Sequence, residues 1–400
     1  MILKKMQGKF FFAAFLFVLL FQLSFVSSAH YVIGRVNNAL DLTLANDHTV
    51  VLWNPSIGLT DNLTDIIGPN GNSGQDNLYM IDCELLNNPC NIDETISLKV
   101  INGGDNYASL VINITVTGAG FDLADNLTLN SPPNITSVLV DDDLLIPENE
   151  IDLLAGNVRD VLCKIYVDEL DYDSLQSASG IFYLSDYSFS DPDDNNSHYT
   201  NNSCYINESY GGEGESEITC GFFVEYYSDP GAWQCLVSIS DNMSLMKNST
   251  DETNVNELLA IGLENRLDFG KIDALKVSDE GILNVTNYGN VKVNLSLSGY
   301  GLVEEDGYAM SCEMGTIEIN SLKYNLTDSI LGDLTLGQFE GNYTNLTNNS
   351  VVKEFNLDYR TNDEINDRIN TTYWRIYVPT GVAGTCNGTI VFGAIKAVAT

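Results

Sequence analysis

Carboxylates are the side chains of this sequence that offer the most chemistry. The run Ser190-Asp191-Pro192-Asp193-Asp194-Asn195 sets three of them within four positions. Calcium takes about six to eight oxygens, and closely spaced carboxylates with asparagine and backbone carbonyls can supply them. Asp191, Asp193 and Asp194 are therefore the candidate ligands of a Ca2+ ion, the one cofactor the chain suggests. Asp168, Glu169, Asp171 and Asp173 form a second acidic cluster, and Asp141 to Asp143 a third. With 55 Asp and Glu against 18 Lys and Arg, each cluster reads first as a solvated loop of an acidic protein. No complete EF-hand or repeated calcium motif is present.

Catalytic constellations are scarce. A triad needs a nucleophile, a histidine base and an orienting acid. The chain has three histidines, His30, His48 and His198, widely spaced, and no GxSxG. There is no CxxC and no Cys/His cluster at zinc spacing. No catalytic residue is assigned, and an enzyme is not expected. The aromatics of Phe182 to Phe189 and Phe222 to Tyr227 could stack on sugar rings if exposed, or fill a core if buried.

The most frequent motif is the acceptor sequon Asn-x-Ser/Thr, found 17 times. It falls at Asn62, Asn113, Asn126, Asn134, Asn195, Asn201, Asn207, Asn242, Asn248, Asn284, Asn294, Asn325, Asn342, Asn345, Asn348, Asn370 and Asn387. Ahead of them, Lys4, Lys5 and Lys9 precede an apolar run from Phe10 to Val26, and Ser27-Ser28-Ala29 supplies small residues. That is the layout of a secretory signal peptide cut after Ala29. An uncleaved anchor, or a pilin-type cut near Gly8, are the other readings of this segment. Removing the three lysines takes the formal charge from −37 to −40. Such a field repels nucleic acid and anionic lipid, so neither is an expected partner beyond whatever the N-terminal segment itself inserts.

Eight cysteines in an exported chain imply disulfides, although their number alone does not fix the pairing. Cys83 and Cys90 are close enough to clip a loop, with pairing elsewhere as the alternative. Cys204 and Cys220 flank Gly211-Gly212-Glu213-Gly214, the pattern of a stapled hairpin.

These residues need elements to carry them, and the period says strands. Val161, Cys163, Ile165 and Val167 alternate with Leu162, Lys164 and Tyr166. Trp233, Cys235, Val237 and Ile239 keep the same period, as do Val291, Val293, Leu295 and Leu297. Leu110, Ile112, Ile114 and Val116 form a further set. Period two with one apolar face predicts half-buried strands of antiparallel sheets. Asn113, Asn284 and Asn294 fall on the polar parity, where a glycan would stay outside the core. No amphipathic helix is expected after the leader. Ser131-Pro132-Pro133 and the polar stretch Lys247 to Glu257 divide the chain into a leader (1–29) and modules at 30–130, 131–255 and 256–400. Each module then holds an even number of cysteines and one tryptophan: Trp53, Trp233 and Trp374.

Three resemblances refine this all-β reading. Val32-Ile33-Gly34-Arg35-Val36 followed by Ala45 to Leu52 resembles the opening of a carboxypeptidase-regulatory-like (transthyretin-like) sandwich. The second module resembles an immunoglobulin-like sandwich, which implies a cross-sheet disulfide between the inward Cys163 and Cys235. Trp233 stands where that family has a tyrosine, and Phe182 or Tyr183 must replace its core tryptophan. Leu267-Asp268-Phe269-Gly270-Lys271-Ile272 with Asn284 to Gly299 resembles the sandwich repeats of prokaryotic, especially archaeal, surface and envelope proteins. That likeness implies scaffolding, with Cys312 joined to Cys386 between early and late strands. The aspartates of the Asp191 loop resemble cadherin-like calcium loops. The expectation is a fold of three tandem antiparallel β-sandwich modules (Ig-like or transthyretin-like) after an N-terminal signal helix. Its role would be that of a glycosylated, non-enzymatic cell-surface or secreted structural or adhesive protein. Its partners would be other surface proteins, glycans or further copies of itself. A carbohydrate-binding adhesin, calcium-dependent or not, is the alternative.

Overall fold

The computed structural model describes residues 29–143, 149–172, 174–364 and 366–397. Residues 1–28 of the predicted leader, Asp173 and the last three residues lie outside these. Three hydrophobic cores follow one another along the chain.

The first core is closed by two sheets. One joins β1 (Tyr31–Asn37) to β4 (Leu78–Asp82), β7 (Phe121–Leu123) and β8 (Leu127–Thr128). The other runs β3 (Asn62–Ile66), β2 (Thr49–Trp53), β5 (Thr95–Ile101), β6 (Ile112–Thr115). Val32 and Val36 alternate inward from β1 and are fully buried. Gly34 shares that face because the Tyr79 ring covers it: a Cβ there would lie 2.2 Å from the phenol oxygen. Strand β1 pairs antiparallel with β4 but parallel with β7 and β8, so this sheet is mixed. Of the Leu110 to Val116 set, Val116 is buried while Leu110 is exposed, because β6 begins only at Ile112.

The second core lies between two further sheets. The first is ordered β14 (Tyr205–Asn207), β15 (Glu215–Val224), β11 (Arg159–Asp168), β9 (Asn134–Asp141). The second is β10 (Glu150–Ile151), β17 (Met246–Val255), β16 (Gly231–Asp241), β12 (Leu175–Leu184), β13 (His198–Asn201). The inward sets predicted from period two, Val161 to Val167 and Trp233 to Ile239, are all buried. Phe182 takes the core aromatic position, stacked on Trp233 at 4.7 Å between ring centroids. The polar stretch from Lys247 is not an irregular linker. It is β17, held by β16 along ten register pairs, which its exposed outer face tolerates.

The third core is enclosed by three sheets. The largest is β18 (Ile261–Leu263), β19 (Gly281–Asn287), β26 (Ile369–Ile376), β23 (Leu322–Asn325), β24 (Thr344–Asn345). The others are β25 (Val351–Leu357), β20 (Val293–Tyr300), β28 (Thr389–Lys396), and β22 (Thr316–Glu318), β21 (Tyr308–Met314), β27 (Ala383–Asn387). One short helix, α1 (Leu336–Asn342), interrupts the β pattern, opened by a capping box between Thr335 and Gln338. It covers the outer face of the largest sheet with Phe339, fully buried, and encloses two cations beneath the 326–346 excursion. Lys323 bonds Glu340 and Asn345, with its ammonium 5.2 Å from the Phe339 ring centre. Arg375, 1 % exposed, donates to the carbonyls of Ser278, Ile330 and Gly332 and to the Tyr343 hydroxyl.

Candidate functional site

Four disulfides staple the cores. Cys163 on β11 joins Cys235 on β16 across the second sandwich, with Cα atoms 6.6 Å apart. Cys204 joins Cys220 across the β14–β15 hairpin, and Cys83 joins Cys90 around a short loop. Asp61 binds that loop from below, accepting from the backbone and side-chain amides of Asn87 and Asn88. Cys312 and Cys386 face each other on the neighbouring strands β21 and β27. This pair therefore lies within one sheet and does not bridge two.

The sequon asparagines sort by exposure. All 17 are exposed or half-buried. The five buried asparagines are Asn54, Asn130, Asn196, Asn287 and Asn290, and none begins a usable sequon. Seven sequons sit on strands at sheet edges: Asn62, Asn113, Asn134, Asn201, Asn207, Asn345 and Asn387. The β4 and β7 edges of the first module carry none.

The acidic loop spends its carboxylates locally. Asp191 accepts from the Ser188 amide, Asp194 from the Asn196 amide, and Asp193 from Thr200 and the His198 ring at 3.0 Å. The bonds of Asp191 and Asp194 are caps to backbone amides two or three residues away, while Asp193 holds side chains five and seven residues on. Asp142 is held by the Arg159 guanidinium, Asp141 caps the Asp143 amide, and Asp171 accepts from Ser131. No group of three or more His, Cys, Asp or Glu side chains able to hold a metal occurs among the described residues. The three histidines are likewise apart: His30 faces Asp122 at 2.7 Å, His48 faces Asp105, and His198 faces Asp193.

The aromatics divide. Phe182, Tyr183, Phe222, Tyr226 and Tyr227 are buried, whereas Tyr187, Phe189 and Phe223 are exposed. Phe223 points outward from β15, while Tyr187 and Phe189 belong to the loop after β12.

Tyr226 and Tyr227 lead to a feature the sequence reading missed, the joint between the second and third cores. Their hydroxyls donate to Asp367 and Asp363, and Tyr359 donates to Asp229. Arg360 lies 4.3 Å from the Tyr227 ring centre and is the cation among Glu225, Asp363 and Asp367. Burial raises the Glu225 carboxyl above its ordinary range; Arg360 opposes this, and Asp363 and Asp367 add to it. Asp229 is also raised, by burial first and by Asp194. Asn290, fully buried, closes the joint by donating to Ser228 and Asn256 carbonyls while accepting from Leu258. Gly289 allows this approach, since a Cβ would lie 2.0 Å from the Leu258 carbonyl oxygen. Its only sequence signal was the small, polar Asn287-Tyr288-Gly289-Asn290 turn.

Fold and disulfides together define a disulfide-stapled, tandem β-sandwich protein. No protein-family model matches the chain, and no curated protein matches it. Among solved structures it is similar to BcpA, the major pilin subunit of Bacillus cereus, at 8% identity and a TM-score of 0.28, over 92% of this chain and 95% of that one. It is also similar to the full-length major pilin SpaD of Corynebacterium diphtheriae, at 9% identity and TM-score 0.28, over 94% and 89%. A Ca2+-stabilized ice-binding adhesin of an Antarctic bacterium gives 10% identity and TM-score 0.22, over 92% and 74%. At such TM-scores the similarity says nothing of this chain's role. No helix among the described residues is long and apolar enough to cross a membrane.

Proposed function

We propose that this chain is an exported, glycosylated, non-enzymatic structural or adhesive protein of the cell surface. The observation that carries the reading is the separation of its asparagines: sequons only at accessible positions, buried asparagines never in one. A glycan on a strand at a sheet edge also blocks edge-to-edge pairing, the usual hazard of an all-β surface protein. The disulfides fit an oxidising compartment.

The first module is the docking surface in this reading. Between His30 and Ile112 only Asn62 is a sequon, and the β4 and β7 edges are bare. Mass spectrometry of the protein recovered from its own cells, before and after deglycosylation, tests the proposal. Several occupied sequons are expected, and a chain with unmodified asparagines and free thiols overturns it. Deleting residues 30–130 should release the remainder from the surface. The alternative, a calcium-dependent sugar-binding adhesin, rests on the Asp191 to Asp194 loop and the exposed Tyr187 and Phe189 nearby in sequence. Saturable glycan binding that a chelator abolishes would favour it.

A further inference from the structure

We propose that export creates a charged anchor at His30: the peptide bond after Ala29 is cut, and the new α-ammonium is captured by Asp82. The inference rests on the export reading, and it joins two independent observations. The leader layout places the cut between Ala29 and His30. The fold, for its part, holds His30 as tightly as a core residue. Its backbone nitrogen lies 2.9 Å from Asp82 Oδ1, and its carbonyl accepts from the Cys83 amide. Its ring lies 2.7 Å from Asp122, and the residue is 7 % exposed.

In the hydrolysis, water adds across the Ala29–His30 amide under a leader peptidase. Ala29 leaves with the carboxylate, and His30 keeps the amine, which protonates. Cleavage precedes folding, so the burial of His30 is no obstacle. A neutral amide donor then becomes an ammonium facing a carboxylate, a charge-assisted bond roughly twice as strong as a neutral one. The carboxylate at that nitrogen is Asp82, at the end of β4, which also caps the Glu84 amide; Asp122 of β7 meets the His30 ring. The Asp122 carboxyl is opposed by its burial but held below the usual range by hydrogen bonds from Thr117 and His30. The new cation ties His30 to β4 through Asp82, while its ring ties it to β7 through Asp122.

N-terminal sequencing and intact mass of the exported protein should give a chain starting at His30. NMR titration of its isotopically labelled α-amine should then report a pKa about one unit above the ordinary ~7.7–8.0, a tenfold shift in protonation. Asp82→Asn, which keeps an acceptor for the Glu84 amide, should return it to the ordinary value. So should one glycine inserted ahead of His30, which moves the charge by about 3.8 Å. A raised cationic pKa adds stability that is complete below the unfolded value and lost as pH rises through the folded one. Thermal stability should therefore fall between about pH 8 and 9 in the mature protein and not in either variant. An uncut chain retained inside the cell would sink the export reading and this one together. A chain cut at His30 whose amine titrates normally and ignores Asp82→Asn would overturn the capture alone.

Discussion

Each core has at least one disulfide, and Trp53, Trp233 and Trp374 are buried one to each stretch of chain that forms a core, so the staples can be ranked one module at a time. Consider Cys163→Ala/Cys235→Ala. The bond closes 72 residues, against 7 for Cys83–Cys90. The chain-entropy relation for loop closure gives about 4.4 kcal/mol for the first and about 2.4 kcal/mol for the second. The larger figure is a lower bound for the double variant, because both sulfurs are fully buried in the core beside Trp233 and their removal leaves unfilled space. The assay is urea unfolding followed by tryptophan emission. One background retains only Trp233 (Trp53→Phe, Trp374→Phe), and a matching one retains only Trp53 for Cys83→Ala/Cys90→Ala. With an m-value of about 2 kcal/mol/M, the second module's midpoint should drop by about 2 M and the first module's by about 1.2 M. Equal drops, or a larger one in the first module, would refute the loop-length reasoning. A drop of the same size read at Trp53 for Cys163→Ala/Cys235→Ala would refute the independence of the first two cores.

Three further outcomes follow from buried polar groups. Asn290→Ala strips partners from two carbonyls and one amide inside the joint; it should cost about 3 kcal/mol and raise hydrogen exchange at the Leu258 amide. Arg375→Leu leaves three carbonyls and the Tyr343 hydroxyl without their donor and should destabilise the third module by about 3–5 kcal/mol, read at Trp374. The pH dependence should carry opposite signs in two places. Burial opposes ionisation of Glu280, but bonds from Ser329, Tyr343 and the Ile330 amide, with Arg375 nearby, lower its carboxyl below 4.5. That stability is present above pH 4.5 and is lost as pH falls through the depressed value. Glu225 and Asp229 are raised, so the joint should tighten on mild acidification before the third module weakens. Hydrogen exchange at the two sites across about pH 2 to 7 separates these effects.

Much of the fold was legible because strand parity is local. The sets Val161 to Val167, Trp233 to Ile239 and Val291 to Leu297 declare their buried faces in a few residues, and all are buried. The cross-sheet Cys163–Cys235 bond follows from that parity once the sandwich is assumed. The parallel pairing of β1 with β7 and β8 was not legible. It joins segments about ninety residues apart, and no local pattern encodes which distant edge a strand meets. Helix α1 had a readable capping box at Thr335 and Gln338, but one buried residue in seven gives no 3.6-residue period. Lys323, between Leu322 and Tyr324, reads as a solvent-facing strand position. Only the 326–346 excursion folding back over the sheet buries it. The acidic loops were visible as charge, but their use was not. A carboxylate that caps a neighbouring amide and one that awaits a cation look alike in sequence.

The asparagines separate where the aspartates do not, and the difference is mechanistic. An asparagine that holds structure through its side-chain amide needs that nitrogen free for protein partners. Asn290 bridges two carbonyls at the joint, Asn287 reaches Val291 and Leu357, and Asn196 reaches Tyr227 and Arg360. A glycan on any of these nitrogens would break the contact and force a bulky polar group into the seam. At each, the residue two positions on is not Ser or Thr: His198, Gly289 and Lys292 stand there. Asn54 has a serine at that distance, and Pro55 between them blocks acceptance. The joint between the second and third cores is thus kept free of acceptors at its buried asparagines, while sheet edges on either side carry them. Acceptors on the outer surface, with none at the buried asparagines of this joint, are what the proposed glycosylation requires.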